Sequence, residues 1–136
     1  NCWIVQQPNV FCDNYSAGLL TELLVTMQKS LGCENIMRSR LDMTVYTPGG
    51  KKCDAHIDNP NQHVATIFYL NDSDGNTVIY NEKFEGETKI DQSKLTVQKE
   101  IEPKENRLLI FDGLYFHTGH VPQKHNTRVI LNSNFN

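Results

Sequence analysis

Early in the chain Leu19, Leu20, Leu23, Leu24, Met27 and Leu31 recur at steps of three and four, which lays one apolar stripe along a helix. Ser16 or Asp13 is placed to cap its start, and Gly32 follows the stripe where a left-handed closing residue is usually found. From about Arg40 the period falls to two. Leu41, Met43 and Val45 alternate with Asp42, Thr44 and Tyr46 up to the turn Pro48-Gly49-Gly50. Residues 64–70 are rich in β-branched and aromatic side chains and end in the turn Asn71-Asp72-Ser73-Asp74-Gly75. Further strands are predicted over 77–80, 107–111 and 128–135. Residues 81–105 are the most charged and least periodic stretch, which reads as a long hairpin or a mobile loop over one rim and a candidate substrate lid.

Several short strands between Gly, Pro and Asp turns, with helix outside them, predict a mainly β chain with one or two N-terminal helices, folded as an antiparallel sandwich or jelly roll. A chain of 136 residues is the size of one domain and buries roughly 68% of its unfolded surface. The expected division is helical support over about 1–39 and a jelly-roll core over about 40–136.

The net charge of −3 shows no strong clustering, which argues against a grip on a nucleic-acid backbone. The longest apolar run, residues 108–111, is far below the about 18 residues that a membrane helix needs. The four cysteines, Cys2, Cys12, Cys33 and Cys53, form no C-x-x-C pair, and no signal peptide is visible. Free thiols in a reducing cytoplasm are therefore expected. The chain opens on Asn1 rather than on methionine, as a processed or excised chain would.

His56 and Asp58 sit two apart after the Gly-rich turn, and in an extended chain residues i and i+2 point to the same face. An H-x-D alone is easily met by chance. It gains meaning from the segment 107–117, which ends in His117, and from Arg128 in the last predicted strand. Two histidines and a carboxylate on one side of an ion make the facial triad of non-haem Fe(II) oxygenases, with coordination positions left open. A 2-oxoglutarate cosubstrate would take two of these and O2 the third. Its distant carboxylate then needs a buried cation, for which the planar fork of Arg128 is suited. Arg128 shares a strand face with Ile130, Asn132 and Asn134, the more polar face of that strand.

Taken in order, the blocks Tyr46-Thr-Pro-Gly-Gly50, His56-Ile-Asp58-Asn-Pro-Asn61, Ile67-Phe-Tyr69-Leu-Asn71 and Ile101-Glu-Pro103-Lys-Glu-Asn-Arg107-Leu-Leu-Ile-Phe111, with His117 and Arg128, resemble the Fe(II)/2-oxoglutarate-dependent dioxygenases, prolyl 4-hydroxylase-like branch. The resemblance covers about residues 40–135. It implies a double-stranded β-helix, iron held by His56, Asp58 and His117, and Arg128 on the 5-carboxylate of 2-oxoglutarate. It further implies that the Tyr69 hydroxyl helps to hold that carboxylate, that Tyr46 lines the cosubstrate pocket, and that ascorbate serves as an optional reductant. The implied reaction is hydroxylation of a C–H bond, most readily of a prolyl residue in a peptide or protein, with release of succinate and CO2.

His120 competes with His117 for the distal ligand, and the spacing from Phe111 and to Arg128 favours His117. His63 and His125 fall in predicted turns and read as solvated surface residues. Asp54 and Asp112 read as turn or site-flanking residues, and Arg107 as an anchor at the start of a strand. A small-molecule or free amino-acid hydroxylase, a cupin-like metal protein that does not use 2-oxoglutarate, and a silent jelly-roll binding module are the competing readings. Nucleic-acid demethylases of the superfamily fit less well, because their pattern places a second arginine six residues after the one matched by Arg128, where this chain has Asn134.

Overall fold

The computed structural model describes residues 2–6, 14–50 and 53–136, with backbone alone for 2–6, 14–17 and 19. In chain order it contains β1 (Cys2–Gln6), α1 (Asn14–Leu31), β2 (Ile36–Val45), β3 (Val64–Tyr69), β4 (Thr77–Lys83), a 3-10 turn (Gln92–Lys94), β5 (Val97–Ile101), β6 (Leu108–Asp112), β7 (Tyr115–Gly119) and β8 (Thr127–Phe135). The strands form an antiparallel five-stranded sheet in the order β1-β2-β8-β3-β6 and a three-stranded sheet in the order β5-β4-β7. The jelly roll is thus observed, with a single α-helix among the described residues.

The apolar stripe of α1 does what its spacing predicts. Leu24 and Met27 are buried against Leu131 and Phe135 of β8, with Leu20, Leu23 and Leu31 packed around them. The helix ends as its last residues require: Gly32 takes a φ of 68°, its N–H bonds the Lys29 carbonyl, and the Cys33 N–H bonds the Gln28 carbonyl. That pair of bonds satisfies two carbonyls that a helix end leaves open. The helix already begins at Asn14, so Ser16 lies inside it rather than at its cap, and Asp13 falls outside the described residues.

The opposite face of the large sheet meets the small one. Ile67, Tyr69 and Ile130 from the former pack with Ile79 and Ile101 from the latter. Side-chain parity along β8 therefore separates two environments, with Leu131 and Phe135 toward the helix and Arg128, Ile130 and Asn132 between the sheets. The same parity holds in β2, where Leu41 packs with the helix cluster while Arg40 and Asp42 face inward.

Three expectations are corrected or refined. The large sheet starts before residue 40, because β1 joins its edge and β2 begins at Ile36. The stretch 81–105 forms the end of one strand and the return of another: β4 and β5 pair from Thr77↔Ile101 to Tyr80↔Val97. β5 carries no apolar alternation because four of its five residues are exposed. His63 is only 2% exposed, its Nδ1 lies 2.7 Å from the Asn61 carbonyl, and its ring packs so closely on Gly113 that a Cβ there would collide with it. The turn placed near His63 is real, but the neighbouring strand end covers the ring. Cys33 and Cys53 carry free thiols, whereas the side chains of Cys2 and Cys12 lie outside the described residues. Among the described residues no helix is long and apolar enough to cross a membrane.

Leu131 is fully buried where α1 meets the central strand β8. Leu131→Ala is expected to lower the unfolding free energy by about 2–5 kcal/mol through lost burial and the cavity left behind. Urea denaturation followed by far-ultraviolet circular dichroism measures this directly.

Candidate metal centre

His56 lies in the extended segment before β3, and its backbone exchanges two 3.0 Å hydrogen bonds with His117 of β7. The small sheet is thereby extended by one residue, and the two imidazoles stand side by side with ring centroids 4.9 Å apart. The Nδ1 atom of His117 lies 3.1 Å from the Tyr115 carbonyl, and that of His56 lies 3.3 Å from the Asp54 carbonyl. A carbonyl can only accept, so each ring keeps its hydrogen on Nδ1 and leaves Nε2 as the lone-pair face. Both Nε2 atoms point to Asp58, at 3.9 Å from Oδ1 for His56 and 3.8 Å from Oδ2 for His117. One ligand atom from each of the three residues lies within 4.8 Å of the other two, close enough for a single ion.

Asp58 is 4% exposed at its side chain, and three residues hold it. Arg38 of β2 forms an ion pair with Oδ1 at 2.6 Å, while Asn132 and Asn134 of β8 donate to Oδ2 at 3.1 and 3.4 Å. Burial alone would push the carboxyl pKa up; the charges of His117 and Arg38, with hydrogen bonds from Arg38 and Asn132, outweigh it and hold the group well below the usual carboxylate range. Burial pushes the His117 imidazole below its ordinary value, against the opposing pull of Asp58. Two imidazoles and one fixed carboxylate, gathered on one side, are a donor set that fits Fe(II).

A cavity of about 210 Å³ runs from His56 and His117 to Arg128, with Thr118, Ile130 and Asn132 in its wall. Arg128 is 5% exposed, and its Nη2 donates to Thr77 Oγ1 at 2.9 Å. The Tyr69 hydroxyl donates to the same oxygen at 2.7 Å, and the guanidinium lies 5.9 Å from the Tyr69 ring centre. The Arg128 Nε has no hydrogen-bond partner, and among the described residues no carboxylate forms an ion pair with the group. Burial opposes its charge and pulls its pKa down. A buried cation outside any ion pair is costly, and an anionic ligand relieves that cost. Room for the guanidinium comes from Gly119, where a Cβ would stand 2.8 Å from Nη2.

The other expected residues lie elsewhere. Tyr46 follows β2, is 47% exposed and does not line this cavity. His120 follows β7, donates its backbone N–H to the Asn76 carbonyl and lines a different cavity with Asp74 and Glu100. His125 is half-exposed and pairs with Asp74 at 3.1 Å. Asp54 is exposed, Asp112 binds Lys83 at 2.7 Å, and Arg107 donates to the Glu102 carbonyl ahead of β6.

Sequence reading missed Arg38 and Thr77 as partners of the site, and it placed Asn132 and Asn134 on the polar face of Arg128 without seeing that their amides donate to Asp58. Extending the β2 alternation back by three residues would have put Arg38 on the face of Arg40 and Asp42. Nothing local marks Thr77. Gln92 was also missed: from the 3-10 turn its side chain accepts from the Ala55 N–H at 2.9 Å and donates to the Ala55 carbonyl at 3.0 Å, pinning the residue before His56.

Among solved structures, a prolyl-4-hydroxylase from Pseudomonas putida is similar, with a TM-score of 0.55 and 18% identity over 98% of this chain and 70% of that one. At that identity the likeness speaks to the fold. No curated protein matches the chain. The sequence profile described as the 2OG-Fe(II) oxygenase superfamily matches residues 41–136, the part that carries both ends of the cavity. The chain therefore belongs to the 2OG-Fe(II) oxygenase superfamily, as a 2-oxoglutarate-dependent non-haem iron dioxygenase whose family implies Fe(II), 2-oxoglutarate and O2.

Proposed function

We propose that this dioxygenase hydroxylates a C–H bond of a prolyl residue in a peptide or protein and converts 2-oxoglutarate to succinate and CO2. The observation that carries the reading is a single cavity with His56 and His117, which cluster with Asp58, at one end and a buried guanidinium that forms no ion pair among the described residues at the other. Fe(II) with 2-oxoglutarate, when bound, supplies activation of O2 coupled to decarboxylation of the cosubstrate. The chain's own residues do the rest.

In this reading His56, Asp58 and His117 hold the metal through Nε2, a carboxylate oxygen and Nε2. Arg128 takes the far carboxylate of 2-oxoglutarate. Thr77 completes that grip: its oxygen accepts from both Tyr69 and Arg128, so its one hydrogen remains to donate to an anion. Tyr69 acts through Thr77 by orienting it. Ile67 and Ile130 line the same cavity and keep part of its wall apolar. Gln92, by its grip on Ala55, ties the β4–β5 loop to the metal ligand next in sequence. The prolyl assignment draws on the motif resemblance and on the named activity of the similar Pseudomonas protein. A free amino acid is the second reading, favoured by the Arg40–Asp42 ion pair at 2.7 Å in the cavity wall, which offers both charges to a zwitterion.

Anaerobic titration of the apoprotein with Fe(II) and then 2-oxoglutarate, followed through the visible charge-transfer band, tests the site. The band is expected in wild type and His120→Ala and lost in His117→Ala. Iron binding without a band in wild type would favour a metal protein that does not use 2-oxoglutarate.

Thr77→Val is expected to raise the 2-oxoglutarate Kd about tenfold, the loss of one hydrogen bond to a charged group, while Arg128→Met abolishes saturable cosubstrate binding. Metal stoichiometry should stay unchanged in both, which separates the two ends of the cavity.

For substrate, proline-containing peptides and free L-amino acids are compared for a mass gain of one oxygen with stoichiometric succinate. Peptide hydroxylation supports the prolyl reading; hydroxylation of free amino acids alone replaces it.

A further inference from the structure

The carboxylate of Asp58 is satisfied unequally. Its Oδ2 meets two neutral amides, Asn132 and Asn134, whereas its Oδ1 meets the full charge of Arg38 at 2.6 Å. Orientation alone is served by amides, as the Oδ2 side demonstrates. A guanidinium on a carboxylate that is to bind a cation repels that cation, so its presence calls for a reason other than holding the ligand still. The pair is poorly screened, since Arg38 and Asp58 are 18% and 4% exposed at their side chains. Arg38 also stands where the backbone fixes it: it is the register partner of Asn134, the neighbour that donates to the same carboxylate.

We propose that Arg38 is a charge-setting positioning residue of the metal centre, which acts through Asp58 to raise the Fe(III)/Fe(II) potential and keep iron ferrous. The inference rests on the reading that His56, Asp58 and His117 hold iron. Its physical basis is Coulomb's law at short range: the oxidised ion carries one more positive charge than the reduced ion, and a fixed neighbouring cation destabilises it more. The step concerned is transfer of one electron, Fe(III) + e⁻ to Fe(II), with no bond made or broken. Metal affinity is a poor readout, because loss of Arg38 removes a repulsion and a positioning contact together, and these act in opposite directions. The potential responds chiefly to the charge.

The test is a mediator-poised titration of the iron-loaded protein, without 2-oxoglutarate, that follows the ferric electron paramagnetic resonance signal in wild type, Arg38→Gln, Arg38→Met and Arg38→Lys. Arg38→Gln and Arg38→Met are expected to show a lower midpoint potential and several-fold faster oxidation of Fe(II) in air, while Arg38→Lys stays near wild type. A wild-type potential in the neutral variants overturns the inference and leaves the metal site standing. Should the neutral variants fail to fold by circular dichroism, Arg38→Lys decides alone: a large fall in potential with the charge retained also overturns it. Failure of the wild-type protein to bind iron overturns the underlying reading of the site, an outcome that metal analysis distinguishes before any titration begins.

Discussion

A buried carboxylate that must stay ionised is the constraint on which the rest of the site depends. Asp58 sits between the two sheets, where an unpaired charge would be strongly unfavourable, so each neighbouring element supplies it with a partner. β2 brings Arg38, β8 brings Asn132 and Asn134, and β7 brings His117. The backbone pairing of His56 with His117 fixes how the H-x-D segment approaches. Sheet register, side-chain parity and electrostatics thus converge on one group, and the two imidazoles inherit their placement from it.

The far end of the cavity obeys the opposite logic. Arg128 is buried with hydrogen-bonding support from Thr77 and an aromatic neighbour in Tyr69, yet none of the described residues forms an ion pair with it. The Asp58 carboxylate has three polar partners that keep it a fixed anion, whereas the Arg128 guanidinium has a hydroxyl partner and no ion pair among the described residues. The asymmetry makes the two ends of the cavity electrostatically distinct. The glycine at position 119 makes the guanidinium's position sterically possible.

Much of this was legible from local pattern. The leucine stripe of α1, the Gly32 stop, the alternation in β2 and the polar face of β8 each report the environment of single residues, which period and chemistry reveal directly. β5 was not legible, because an exposed strand paired to one neighbour has no buried face to force an alternation. Burial of His63 was hidden for the converse reason: its turn is local, but the Gly113 backbone that covers it arrives from 50 residues away.

By itself the sequence determined the helix, most of the sheet strands, the shared face of His56 and Asp58, and the inward side of Arg128. These follow from short-range geometry that needs no knowledge of neighbours. Spacing already favoured His117 over His120, and only the tertiary structure brought it beside His56 and Asp58, set Arg38 against one oxygen of Asp58 and linked Tyr69 to Arg128 through Thr77. Those contacts depend on which strands lie side by side and in what register, a property of long-range pairing that no single segment carries.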